Sequence, residues 1–209
     1  MNDSELKDIA ENLIETTELA GNKSMELYKK GLKKIIKPDN SPVTNGDLEV
    51  NKILTEKIKE LTQAANSGDA NAQYSLGKMA LENNNPPDHA TAVYWFRIAA
   101  ESDHLEAIEI LGAHLFMGLG VPQNAEQAKE WWIKAANKGS SKAQASLGVL
   151  FALGNGIEKD FIESYKWFTL AAKNGNEEAK IQRDNSIALQ LSADQIREAQ
   201  DRVNEFLKK

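Results

Sequence analysis

From about residue 70 to residue 176, apolar positions recur on two periods at once. Over each stretch of about a dozen residues they fall three and four apart, the spacing of one face of a helix. Each such stretch returns after 35 or 36 residues. Leu76-Gly77, Leu111-Gly112 and Leu147-Gly148 form one column of this pattern. Trp95-Phe96, Trp131-Trp132 and Trp167-Phe168 form a second, and Ala99-Ala100, Ala135-Ala136 and Ala171-Ala172 a third. Each unit reads as helix A, turn, helix B, turn. Helix A is predicted to begin near Ala72, Ala107 and Ala143 and to end near Glu82, Met117 and Leu153. Helix B opens at Asp88, Asn124 and Asp160, all good N-cap residues, and closes at Asp103, Gly139 and Gly175.

A unit of this length cannot bury both of its faces alone, so repetition at this period predicts an all-α chain of stacked helix pairs, an α/α solenoid. The glycine of each Leu-Gly pair lies in the middle of helix A, where it costs about 1 kcal/mol relative to alanine. Repeated at one position, that cost points to close approach by a neighbouring helix. Gly118-Leu119-Gly120-Val121 and Gly154-Asn155-Gly156-Ile157 read as helix C-caps with positive φ. They do not read as phosphate cradles, because no strand precedes them and no Gly-Lys-Ser/Thr follows. The first unit has Asn83-Asn84-Asn85-Pro86-Pro87 in place of that turn. The aromatic pairs, with Ala128, Ala135 and Ala136, make a stripe suited to packing on flanking A helices, so the tryptophans are assigned to the core rather than to a ligand cage.

This combination of Leu-Gly, Gly-x-Gly, Ala-x-x-Trp-Phe and Ala-Ala resembles the Sel-one-like (Sel1-like) repeat, a relative of the tetratricopeptide repeat. The resemblance implies a right-handed α/α superhelix that acts as a non-catalytic adaptor or scaffold for other proteins. It extends over about residues 70–179. Some extracellular members carry a disulfide in each repeat; this chain has no cysteine.

Three segments follow from the pattern: residues 1–66, three repeats over 67–176, and a C-terminal cap over 177–209. In the cap, Glu177 to Leu191 starts like a fourth helix A without the Leu-Gly pair. Ser192-Ala193-Asp194-Gln195 then reads as a capping box, opening a one-faced helix with Ile196, Ala199, Val203 and Phe206 inside. In the first segment, Leu6, Ile9, Ala10, Leu13, Ile14, Thr17 and Ala20 have amphipathic helical spacing, and residues 31–46 read as a short hairpin or a loop. A helix follows that carries Val50, Ile53, Leu54, Ile58 and Leu61. Its end repeats the array's own signature, since Ala64, Ala65 and Gly68 stand 35 residues before Ala99, Ala100 and Asp103.

The stretch Ile36-Lys37-Pro38-Asp39-Asn40-Ser41-Pro42-Val43-Thr44-Asn45-Gly46-Asp47 resembles the start of the inositol monophosphatase and bisphosphate nucleotidase superfamily. By that resemblance, Asp39, Thr44 and Asp47 stand where the family shapes the approach to its metal site. The family's Gly-Glu-Glu, Asp-Pro-x-Asp-Gly-Thr and Trp-Asp motifs are absent, and two carboxylates cannot hold a metal pair. The expectation is therefore no catalysis and no cofactor or metal. The fragment would either cap the array or serve a phosphatase of that superfamily as a regulatory or complementing partner.

Charge and composition change little. The net charge of −6 is spread along the chain, with 10 basic and 12 acidic residues in positions 1–66, so no basic face for nucleic acid emerges. Absent cysteines, no apolar run of membrane-spanning length and an N-terminus without a secretory pattern together predict a cytoplasmic, bacterial protein with neither membrane nor small-molecule partners. His89, His104 and His114 show no ligand spacing, and solvated roles are expected for them. One surface remains for a protein or peptide partner, the exposed face of the A helices. Its predicted members are Asn71, Tyr74, Lys78 and Leu81, then Glu106, Glu109 and Phe116, then Lys142 and Val149, with Ala113, Ala145 and Ala152 between them. The competing reading is that several of these side chains contact the next repeat instead.

Overall fold

The computed structural model describes residues 45–82 and 86–208, with side chains from residue 56 onward. The amphipathic segment over residues 6–20, Asp39, Thr44 and the Asn83–Asn85 turn lie outside the described residues. So does the hairpin or loop, except for Asn45 and Gly46, which already belong to a helix. The chain divides between residues 63 and 64 into two compact units. Of the first, the described part is helical and belongs to α1 (Asn45–Asn66). Thr62 there donates its hydroxyl to the Ile58 carbonyl at 2.8 Å.

The second unit is an α/α array. Its helices are α2 (Ala70–Glu82), α3 (His89–Glu101), α4 (Leu105–Met117), α5 (Ala125–Asn137), α6 (Ser141–Leu153), α7 (Phe161–Lys173), the short α8 (Glu177–Gln182) and α9 (Ala193–Leu207). The pairs α2/α3, α4/α5 and α6/α7 pack within repeats, while α3/α4 and α5/α6 pack between them. The main core runs through the array, with Phe96, Ile108, Leu111, Leu115, Leu147 and Leu150 at or near zero exposure, and a second cluster around Tyr165, Phe168 and Ile187 lies toward its C-terminal end.

Two kinds of turn hold the register. At the A-to-B turn, the N-cap residues Asp88, Asn124 and Asp160 each donate their backbone N–H to a carbonyl near the end of the preceding helix, on Ala80, Leu115 and Phe151, at 2.8–3.0 Å. Their side chains accept from the first turn of helix B, as the sequence predicts. At the B-to-A turn, the first alanine of each Ala-Ala pair accepts from the residue five further on. These bonds join Ala64 to Asp69, Ala99 to His104, Ala135 to Ser140 and Ala171 to Asn176, at 3.0–3.1 Å. The residue before each donor is left-handed: Gly68, Asp103, Gly139 and Gly175. The same turn therefore occurs four times, beginning at the end of α1.

These turn donors also explain why helix A starts about two residues earlier than expected. Asp69, His104, Ser140 and Asn176 form a column of N-caps, each taking a backbone N–H of the helix that follows. The apolar period cannot register such a column, because its members are polar and of four different types.

The glycine column serves a ring. A Cβ on Gly77 would stand 2.6 Å from Phe96, one on Gly148 would stand 2.7 Å from Phe168, and one on Gly112 would overlap the Trp132 indole. Leu-Gly and the second member of each aromatic pair are thus two halves of one contact. The first members are less uniform. Trp95 and Trp167 are buried, but Trp131 is only half-buried, with Lys134 over its ring at 5.1 Å.

Asp103 is the one non-glycine residue with positive φ among the described residues, at +66°. Lys134 and Lys138, from the next repeat, reach its carboxylate at 2.8 and 3.2 Å and the carbonyls of Ala100 and Asp103 at 3.3 Å. Hydrogen bonds from Lys134 and then Lys138 hold the carboxyl below the ordinary range. Strain and attraction oppose each other here. Asp103→Gly should therefore raise the melting temperature in 1 M salt, where the ion pairs are screened, and should raise it less or not at all in 20 mM salt. Thermal melts at the two ionic strengths check this.

The end of the array departs from the predicted fourth helix A. Helix α8 stops at Gln182, followed by a π turn over Arg183–Ile187 and a 3₁₀ turn over Ala188–Gln190. Arg183-Asp184 occupy the positions that Leu147-Gly148 hold one period earlier. They pair with each other at 2.7 Å, and the Arg183 guanidinium lies over the Tyr165 ring at 5.8 Å. The capping box at Ser192 and Gln195 is present, and α9 buries Ala199 and Val203.

Candidate functional site

On α2, Asn71 is exposed and Lys78 pairs with Glu82 one turn on, at 3.3 Å. Tyr74 is half-buried, stacked on His104 with ring centroids 4.6 Å apart, and Leu81 packs against the core. On α4, Glu106 is exposed, whereas Glu109 accepts the Ser140 hydroxyl at 2.6 Å and Phe116 tilts against Trp132 at 5.8 Å. On α6, Lys142 is exposed and Val149 is 41% exposed. Ala113, Ala145 and Ala152 are half-buried. Asn71, Lys78, Glu106, Lys142 and Val149 thus face solvent, while Tyr74, Leu81, Glu109 and Phe116 contribute to packing within the array.

Four exposed apolar side chains escape the sequence reading. Met117 and Leu153 are each 56% exposed, Ile181 55% and Leu189 77%. Met117, Leu153 and Leu189 are 36 residues apart and continue the column of Glu82, one residue beyond the Leu81, Phe116 and Ala152 column. Ile181 lies 36 residues after Ala145. The period marks Met117, Leu153 and Leu189 one residue beyond the predicted column, and Ile181 within the Ala145 column. Together with Val149 they are five of the seven large apolar side chains exposed among the described residues. Along α2, α4 and α6 the i,i+4 pairs on this face change from Lys78–Glu82 to Ala113–Met117 to Val149–Leu153.

The histidines correct the expectation of solvated roles. His104 caps α4 by accepting the Ala107 N–H on Nδ1 at 3.3 Å, with the Glu106 carboxylate 3.4 Å from the same nitrogen. His114 is 5% exposed, and its Nε2 lies 3.4 Å from Nδ1 of His89. Burial is the main cause holding the His114 imidazole below its ordinary pKa; the Ile110 carbonyl pulls it upward and the His89 charge lowers it further.

Among the described residues, no cluster of three or more His, Asp or Glu side chains could hold a metal ion, and no helix is long and apolar enough to cross a membrane. The phosphatase-like stretch falls outside the described side chains.

The Sel1 repeat family matches this chain three times, at residues 70–104, 105–140 and 141–176, which is more than half of its length. A protective antigen of uropathogenic Escherichia coli strains displaying an SLR fold is similar over 92% of this chain, with 30% identity and a TM-score of 0.67. This chain spans 39% of that protein's length. A Sel1 repeat protein from Oxalobacter formigenes is similar over 62% of this chain and 98% of its own, with 32% identity and a TM-score of 0.54. No curated protein matches the sequence.

Proposed function

Because this chain belongs to the Sel1 repeat family, we propose that it is a non-catalytic adaptor that holds a protein or peptide partner along the exposed face of its A helices. The observation that carries the reading is the run of exposed apolar side chains at the repeat period, Met117, Leu153 and Leu189, joined by Val149 and Ile181. Scattered exposed leucines need no explanation, but exposed apolar side chains at matching ends of successive A helices, Met117 on α4 and Leu153 on α6, make a surface. The charged end at Lys78–Glu82 and the apolar end at Val149–Leu153 fit a segment that is polar at one end and apolar at the other. A peptide with a charged stretch followed by apolar anchors, helical or extended, has that chemistry.

Val149→Asp combined with Leu153→Asp tests it. Both sites are exposed, so the melting temperature should stay within a few degrees of wild type, since surface changes are usually worth no more than about 0.5 kcal/mol. Partners retained by the wild-type chain in affinity capture should be lost by the double variant. Equal retention by both proteins would move the binding surface elsewhere.

A further inference from the structure

The seam between the first and second repeats is built differently from the next one. His89 opens α3 and His114 lies in the last turn of α4, and their rings meet across the seam with centroids 5.5 Å apart. One period later, the same two positions are Ala125 and Leu150, both buried. The two seams otherwise correspond. A Cβ on Gly120 would overlap the His89 backbone, and one on Gly156 would stand 2.7 Å from Ala125. A purely apolar contact at one seam is thus a polar, titratable one at the other.

The protons on this pair are fixed by their partners. The Ile110 carbonyl is 3.0 Å from His114 Nδ1, so that nitrogen carries the hydrogen and donates it. The His114 Nε2 lone pair then faces His89, whose Nδ1–H donates to it. His89 can take a further proton on its outer nitrogen without losing this bond. A proton on His114 Nε2 sets donor against donor, in a site closed on one side by the Phe96 ring at 5.8 Å. The charged group that faces His114 from α3 is His89 itself. Among the described residues, no carboxylate lies within ion-pair distance of either ring. Asp88 is committed to Thr91, Glu109 to Ser140 and Asp103 to Lys134 and Lys138. Nothing nearby compensates a second charge.

We propose that the His89–His114 pair is a proton-sensitive latch on the seam between the first two repeats, closed while His114 is neutral and released when His114 is protonated. In a repeat array each unit is held mainly by its neighbours, so an opened seam loosens α3 and α4 first. The direction with pH follows from His114, whose proton affinity is lower in the folded chain than in the unfolded one. Its contribution is complete above about pH 6.5, the ordinary histidine value, and is lost as the pH falls below it.

Urea unfolding at pH 7.5 and pH 5.5 should show the unfolding constant of the wild-type chain rising more than that of His114→Gln, by at most about tenfold. An equal response in the two proteins would overturn the proposal. The unsubstituted chain gives a second reading. Imidazole NMR between pH 7.5 and 5.5 should show His114 held as the neutral Nδ1–H tautomer at the upper end and gaining its proton only below the ordinary histidine value. His114 becoming protonated at or above the ordinary histidine value would overturn the latch regardless of how the variant folds. Hydrogen-exchange protection should fall more in α3 and α4 than in α6 and α7 over the same range; a uniform fall would also count against it.

Discussion

Trp132→Ala is expected to lower the unfolding free energy by about 3–5 kcal/mol, the range for removing a large aromatic ring from a core. The ring is 4% exposed, and its Nε1–H donates to the Glu109 carbonyl at 3.1 Å, so the substitution leaves a cavity and removes a hydrogen bond between the two helices. A more discriminating result comes from Gly112. Alanine is the better helix former by about 1 kcal/mol. With the indole in place, however, a new Cβ overlaps it, and overpacking of this kind costs about 1–3 kcal/mol. Gly112→Ala should therefore destabilise the wild-type chain and stabilise the Trp132→Ala chain. That reversal of sign, read from urea unfolding of the two single variants and the double variant, is the signature of one contact shared between the two columns. Additive effects would mean that the glycine and the indole are not two halves of one contact.

Val203→Asp should have an effect of similar size but a different reach. Val203 is 2% exposed on the inner face of α9, which packs on α7, where Phe206 meets Trp167 edge-on at 5.3 Å. Arg202 fastens the same helix to Glu163 of α7 at 2.7 Å and pairs with Glu198 one turn back within α9 at 2.6 Å. A buried carboxylate with no partner costs several kcal/mol, more than one partly exposed arginine can hold. Because each unit depends chiefly on its neighbours, the expected outcome is release of α9 rather than collapse of the array. Limited proteolysis should cut the variant within residues 190–209 and leave a fragment containing the three repeats. Cleavage distributed through residues 70–176 would instead show that the array unfolds as a single cooperative whole.

The repeats were legible because their packing is periodic. A ring that needs a glycine opposite it leaves two marks in the sequence, 19 or 20 residues apart, and the marks recur. The N-caps of helix B and the capping box at Ser192 could be read for the same local reason: each uses a residue type that few other positions favour. The N-caps of helix A were missed because four different polar residues perform one task there, and because the neighbouring glycine column drew the boundary instead. The histidine pair could not be read at all. His89 and His114 stand 25 residues apart, a separation that is no multiple of the repeat, and only the fold brings them together. On the candidate surface Asn71, Lys78, Glu106, Lys142 and Val149 are exposed, yet Tyr74 and Phe116 are drawn into the array by their ring contacts with His104 and Trp132. The more exposed Met117 and Leu153 lie one position beyond.

Arg183-Asp184, where the other units carry Leu-Gly, has a consequence for the contact that joins the two helices of a repeat. A ring placed against this position would meet a carboxylate already tied to a guanidinium instead of a bare glycine backbone. The lock of ring on glycine that closes each of the three repeats is therefore not offered by this unit, and α9 closes the described array by a different contact, its own apolar face on α7.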